Sequence, residues 1–178
     1  VKDVSKQKEE GREHMEQKEW KQIYEQYYKP MFLYALSLTN NVQDAEDLLQ
    51  ETFVKAFLSY KDTGSLKAWL IKVLRNEFIS MMRKRKKEFL SDGETSFLNA
   101  KSEEEEILEQ IIREEERKKL FRAIQKLGIK QKEILIENIY FHMSDEQIAE
   151  SHGLTKENVR QIRSRARKKL LQIIREEP

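Results

Sequence analysis

The 178-residue sequence contains no cysteine. It can therefore build neither a disulfide framework nor a thiolate metal site, and a reducing interior is its natural setting. Glycine (5) and proline (2) are scarce, which argues against a turn-rich β architecture and for helices. No apolar stretch approaches the roughly 20 residues needed to cross a bilayer. The opening run VKDVSKQKEEGREHMEQKEW also lacks the apolar core of a signal peptide. The only histidines, His14, His142 and His152, show no metal-ligand spacing. With no phosphate-cradling glycine loop and no nucleophile elbow either, neither an enzyme nor a bound metal or cofactor is expected. These absences imply an all-α, soluble, cytoplasmic protein.

Charge is abundant but nearly balanced, with 34 Lys and Arg against 32 Asp and Glu. The charges are segregated, however. Arg83 to Lys87 is wholly basic and Glu103 to Glu106 wholly acidic, so local fields matter more than the sum. Residues 1–19 form a charged N-terminal extension, either disordered or folding onto a partner. Residues 20–87 are expected to form a first helical domain, broken at Asn40-Asn41 and at Asp62-Thr63-Gly64-Ser65. The polar, acidic stretch 88–106 is expected to be a flexible linker without a core. Residues 107–178 form a second helical domain, with breaks near Gly128 and Gly153.

The C-terminal segment TKENVRQIRSRARKKLL carries the sharpest signal. On a helix, Val159, Ile162, Ala166, Leu170 and Ile173 form a narrow apolar stripe, while Arg160, Gln161, Ser164, Arg165 and Lys168 point away from it. Upstream, Ser144 and Gln147 form a capping-box pair, Ile148 and Ala149 face inward, and His152-Gly153 stops the helix before Thr155 caps the next. This is helix-turn-helix grammar. Its docking geometry sends the start of the second helix into the major groove. That nominates Lys156, Glu157, Arg160, Gln161 and Ser164 for base edges, and Arg163, Arg165, Arg167 and Lys168 for phosphates. His142 falls in the loop before the motif and His152 in its turn.

Two faces in the first half also carry information. In DAEDLLQETFVKAFLSY, residues Ala45, Leu48, Leu49, Thr52, Ala56 and Tyr60 line a core side. The opposite side sets Asp44, Asp47 and Glu51 beside Val54 and Leu58, either as a protein-docking surface or as an ordinary acidic face. In LKAWLIKVLRNEFISMMRKRKK the apolar side is filled by Leu66, Leu70, Leu74, Phe78 and Met81. Trp69 is left over, near Lys72, Arg75, Asn76 and Arg83. It either closes a helix-helix contact or offers an aromatic surface to an unstacked base, and the adjoining cations favour nucleic acid.

Taken together, these motifs resemble bacterial RNA polymerase sigma factors, specifically the small extracytoplasmic-function (ECF) type, from about Tyr27 onward. DAEDLLQETFVKAF is similar to the region-two helix that docks on the clamp of the largest core subunit. WLIKVLRNEFISMMRKRKK resembles the part that melts and reads the minus-ten element. LFRAIQKLGIKQKEILIENIYFHMSDEQIAESHGLTKENVRQIRSRARKKL resembles region four, which binds the minus-thirty-five element and the flap of the second-largest subunit.

By that resemblance, Asn76 matches the residue that selects a flipped base, with Trp69 and Lys72 beside it and Arg75, Arg83, Lys84 and Arg85 on the same DNA-facing segment. Tyr60 to Ser65 fall in the base-capturing loop. Asp44, Asp47, Gln50, Glu51 and Phe53 fall in the clamp-docking motif. The acidic linker would run through the RNA exit channel, and the family suggests an anti-sigma partner. Ser80, Gly128-Ile129 and VRQIRSRARKKL depart from the usual pattern of the subfamily. The rival reading is a dimeric helix-turn-helix regulator.

Overall fold

The computed structural model describes residues 2–60, 65–92 and 115–176. Among them are seven helices and no strand: α1 (Lys2–Thr39), α2 (Val42–Ser59), α3 (Leu66–Asp92), α4 (Glu115–Gln125), α5 (Ile129–Ile139), α6 (Asp145–His152) and α7 (Lys156–Glu176). The acidic linker from residue 93 onward and the loop residues 61–64 lie outside the described residues.

Helix α1 starts at Lys2, so the charged extension continues into the first domain as one helix across the boundary expected at residue 20. At its other end Asn40, at a φ of 52°, turns the chain, an αL conformation that asparagine tolerates. Asn41 then caps α2, its side-chain oxygen accepting from the Asp44 amide at 2.9 Å. The buried positions of α2 are the expected Ala45, Leu48, Leu49, Thr52 and Ala56, together with Phe53. They pack against Met31, Phe32, Ala35 and Leu36 of α1 and Leu70, Ile71, Leu74 and Phe78 of α3. Removing each large side chain from water stabilises the bundle by about 1.5–3 kcal/mol.

In the second half, α7 buries Val159, Ala166 and Leu170 along the expected stripe. Leu170 and Ala166 meet Ala123, Leu127 and Leu135 in a small core of their own. The halves are also fused. One apolar cluster runs from Met31 through Phe78 to Phe121, Ile134, Phe141, Met143, Ile148 and Val159. The physical reason is the run EILIENIYFHM: it is more apolar than α5 can bury within its own half. Its C-terminal end, Phe141, lies against Tyr34 of α1 with ring centroids 5.7 Å apart.

Candidate nucleic-acid and partner interface

The helix-turn-helix is built from short-range hydrogen bonds. Gln147 N donates to Ser144 Oγ at 3.2 Å, and Ser144 N donates to Gln147 Oε1 at 2.9 Å, closing the capping box. Gly153 adopts φ 62°, ψ 36°, ending α6 in the left-handed conformation. Asn158 N donates to Thr155 Oγ1 at 3.2 Å to start α7. The turn thus fixes α7 with Lys156, Glu157, Arg160, Gln161, Ser164, Arg165, Arg167 and Lys168 all exposed.

Acids of α6 brace part of this surface. Asp145 accepts from Arg163 and from Arg160 Nε (3.2 Å), and Glu146 accepts from Lys156. The Lys156 bond holds the Glu146 carboxyl down at about 2. Arg163, expected to meet phosphate, is partly buried by its pairing with Asp145. Gln161, Ser164, Arg165, Arg167 and Lys168 make no ion pair or side-chain hydrogen bond among the described residues.

Helix α3 divides its expected DNA-facing residues. Lys72, Asn76, Arg83 and Lys84 are exposed. Trp69 is half-buried against the core, with Tyr60 edge-on at 5.5 Å between ring centroids, and Trp20 of α1 completes the stack at 6.4 Å from Tyr60. The helix-helix role of Trp69 is therefore realised, with the residue still partly exposed.

Arg75 does not lie on the outer face. It is 7% exposed, on the α3 side that meets the second half. There it donates to the Ser151 carbonyl and, at 3.2 Å, to Ser151 Oγ. Helical phase explains this: Arg75 follows Ile71 by four residues, and Ile71 is fully buried. Arg85 is also engaged. It forms a two-pronged ion pair with Asp44 of α2, one N–O distance being 2.7 Å, and that pairing raises its pKa. Residues expected to face DNA and polymerase respectively thus bind each other.

The expected docking face on α2 is exposed at Asp47, Gln50 and Glu51. Phe53 is instead buried, its ring 4.9 Å from that of Tyr24, because it lies one position from Thr52 on the core side. The exposed apolar residues are Val54, Phe57 and Leu58, the last 73% exposed. Between them and Trp20, Tyr24 and Tyr28 of α1 runs an open groove of about 570 Å³. Phe57 and the aromatic wall from α1 were not singled out by sequence; the periodic signal that could have found them is Trp20, Tyr24 and Tyr28 at intervals of four.

Comparison with known proteins decides what these surfaces belong to. Residues 23–88 match the family model for sigma-70 region 2 and residues 117–170 the model for sigma-70 region 4. The chain is 30% identical over 154 residues to the RNA polymerase sigma factor YlaC of Bacillus subtilis, covering 83% of this chain and 87% of that one. The chain belongs to the sigma-70 family. Within it, the similarity is to ECF sigma factors: 46% identity over 70 residues to SigM of Bacillus subtilis, spanning 38% of this chain and 42% of that relative. The chain thus spans less than half of SigM in that match and most of YlaC.

The sigma factor RpoE of Bartonella quintana, solved with the anti-sigma factor NepR, superposes with a TM-score of 0.70 at 27% identity. That superposition covers 90% of this chain and 99% of that one. CnrH, solved with the cytosolic domain of CnrY, shares the fold at a TM-score of 0.62 and 20% identity, over 91% of each chain. No described helix of this sigma-70 chain is long and apolar enough to cross a membrane, and no described cluster of His, Asp or Glu could hold a metal.

Proposed function

We propose that this chain directs promoter-specific initiation by bacterial RNA polymerase as a non-enzymatic, cytoplasmic subunit. The α2 face of Asp47, Gln50 and Glu51, with Val54, Phe57 and Leu58, docks on the clamp of the largest subunit. Lys72, Asn76, Arg83 and Lys84 of α3 hold the separated minus-ten strand, and Tyr60 and Trp69 stack on a flipped base. The outer face of α7 reads the minus-thirty-five duplex, and the second domain also meets the flap of the second-largest subunit. The first domain begins at residue 20 and the second spans 107–178; the linker, expected at 88–106, is taken to begin after Asp92, because α3 runs through the expected boundary. An anti-sigma factor is a further partner, of the kind solved with RpoE.

The observation that carries this reading is the presence of two cation-rich outer faces on separate halves, one flanked by aromatics and one on a helix-turn-helix. An aromatic face suits unstacked bases and a capped helix suits a groove. Flipping a base costs a few kcal/mol, so polymerase binding must supplement the contacts that this chain makes alone. The test adds the protein to sigma-free bacterial core polymerase on genomic DNA and maps transcript starts. Starts clustered downstream of a shared pair of sequence elements are expected. Random starts, or tight promoter binding by the free protein at matched salt, would overturn the reading.

A further inference from the structure

Helices α1 and α2 run antiparallel, and their shared edge is an aromatic ladder. Tyr24 of α1 meets Phe53 of α2 at 4.9 Å between ring centroids, and Trp20 meets Phe57 at 5.8 Å. Each four-residue step back along α1 thus matches a four-residue step forward along α2, as the helical period requires. The ladder reaches the last turn of α2 only because α1 extends back to Trp20. Residue 20 precedes the segment 23–88 that matches the region 2 model, so this rung is supplied from outside the matched module.

Beside that rung stands Tyr60. The chain leaves α2 at this residue: Tyr60 N donates to Ala56 O at 2.9 Å, and its own φ of −68° and ψ of 124° are extended. Two indoles grip its ring. Trp69 of α3 lies 5.5 Å away at an interplanar angle of 68°, and Trp20 lies 6.4 Å away at 89°. The chain has only two tryptophans. Both are spent on this one tyrosine, in the edge-to-face arrangement that aromatic pairs favour.

We infer that Trp20 is a positioning residue for base capture, holding Tyr60 at the angle from which, with Trp69, it stacks on a flipped base. The inference rests on the sigma-factor reading and deepens its strand-binding site. Trp20 acts through Tyr60 rather than on the base. A ring already held in place loses less freedom when the base arrives, so binding is stronger without any added contact. With the support removed, part of the energy of base stacking would go into ordering Tyr60. Trp20 also touches Phe57 on the face proposed to dock on the clamp, which makes docking the rival role for the same indole.

The experiment assembles holoenzyme from core polymerase and the full chain. It measures affinity for a single-stranded oligonucleotide carrying the minus-ten element of a promoter mapped with that holoenzyme. The strand is used intact and with an abasic site at each position in turn. In the wild type one position should show a clear abasic penalty, the ratio of intact to abasic affinity. Trp20→Leu keeps apolar bulk against Phe57 and removes the indole. It should weaken the intact strand roughly three- to tenfold, leave the abasic strand nearly unchanged, and shrink the penalty by the same factor. Affinity for core polymerase should stay at the wild-type value. Inactive protein lowers both strands alike and cancels in the ratio. Trp20→Phe, whose shorter ring keeps an aromatic edge but retreats from Tyr60, should give an intermediate ratio. It carries the test alone if the leucine variant melts below the assay temperature.

Equal weakening of intact and abasic strands shows a purely structural role and overturns the inference, as does a penalty unchanged in both variants. A fall in core affinity with the penalty kept moves Trp20 to the docking face and overturns it too. If wild-type holoenzyme shows no penalty at any position, base stacking by Tyr60 fails together with its support. Failure of every form to bind core polymerase overturns the sigma reading itself, and the positioning role with it.

Discussion

Helices α3 and α7 carry similar chemistry in different settings. In α7 the stripe of Val159, Ala166 and Leu170 is buried, the cations point outward, and the bracing acids Asp145 and Glu146 come from the adjacent α6. The whole outer surface of α7, proposed to read duplex DNA, is therefore assembled by residues close in sequence. In α3 the stripe is equally regular, but two cations are drawn off: Arg75 to Ser151 of the other half and Arg85 to Asp44 of α2. Duplex DNA presents its groove already formed and can be met by a surface that is always ready. A separated strand exists only after melting, and the surface proposed to hold it is the one the fold partly covers.

That contrast can be broken first at Trp69. Its indole is half-buried against the core and Tyr60, so Trp69→Ala should cost about 2–3 kcal/mol of stability, below the range for a fully buried Trp. Denaturant unfolding measures this. A loss below about 0.5 kcal/mol would mean that the ring is chiefly an outward-facing surface, and α3 would then resemble α7 more closely.

Asn76 gives the complementary case. It is exposed and one residue from buried Arg75, so Asn76→Ala should leave the melting midpoint in place. If it contacts a base edge, the loss of about 1–3 kcal/mol translates to roughly a 5- to 150-fold fall in open-complex formation. A permanganate footprint of the melted region reports this. Equal activity of the variant and wild type would remove Asn76 from the strand-binding surface.

These two residues also show what was legible in the sequence. The 3.6-residue periodicity located α2, α3 and α7 and their core faces, because helix burial repeats locally. The Ser144, Gln147, Gly153 and Thr155 punctuation is likewise local, and each does what its chemistry favours. What periodicity could not reveal is which outward side chain would meet the other half. Arg75 and Phe53 both lie at the edge of a core stripe, where a few degrees of helix rotation decide between solvent and interior. Glu137 and Lys132 sit inside α5 beside Ile134 and Leu135, and ionisable groups within an apolar run were the available sign of a buried contact. Their partners Tyr34 and Ser37 are about a hundred residues distant in the chain, with separations of 103 and 95.

A smaller effect is expected in the turn. At Gly153 an added Cβ would meet nothing within 4 Å, yet φ is +62°, so any cost of Gly153→Ala is backbone strain of about 1–2 kcal/mol. Thermal melting should register it together with weaker duplex binding, and Gly153→Asn should recover part of both, because asparagine tolerates this conformation. A fully neutral Gly153→Ala would show that the turn is not what fixes α7, and the claim that its surface is locally assembled would fail.

The smallest expected effect tests the fusion of the halves. Burial pushes the Lys132 ammonium down to about 8 from its ordinary 10.5. Below pH 8 the folded and unfolded states both carry the proton, and the penalty for burying the cation is present in full. Between 8 and 10.5 the unfolded state binds more protons, so stability rises with pH. The gain from pH 7.5 to 9 should be about 1 kcal/mol, and Lys132→Met should abolish it. Burial raises Glu133 from the acidic side and Tyr34 from an already alkaline value, so the comparison with Lys132→Met, which leaves both groups in place, isolates the lysine. Since Lys132 reaches Ser37 of α1, its burial depends on the first half being in place. The contact between the halves should therefore strengthen over the same pH range as the stability. A rise in stability without a stronger contact between the halves would locate the burial of Lys132 within the second half alone, beside Gln125, and would weaken the fusion to its apolar part.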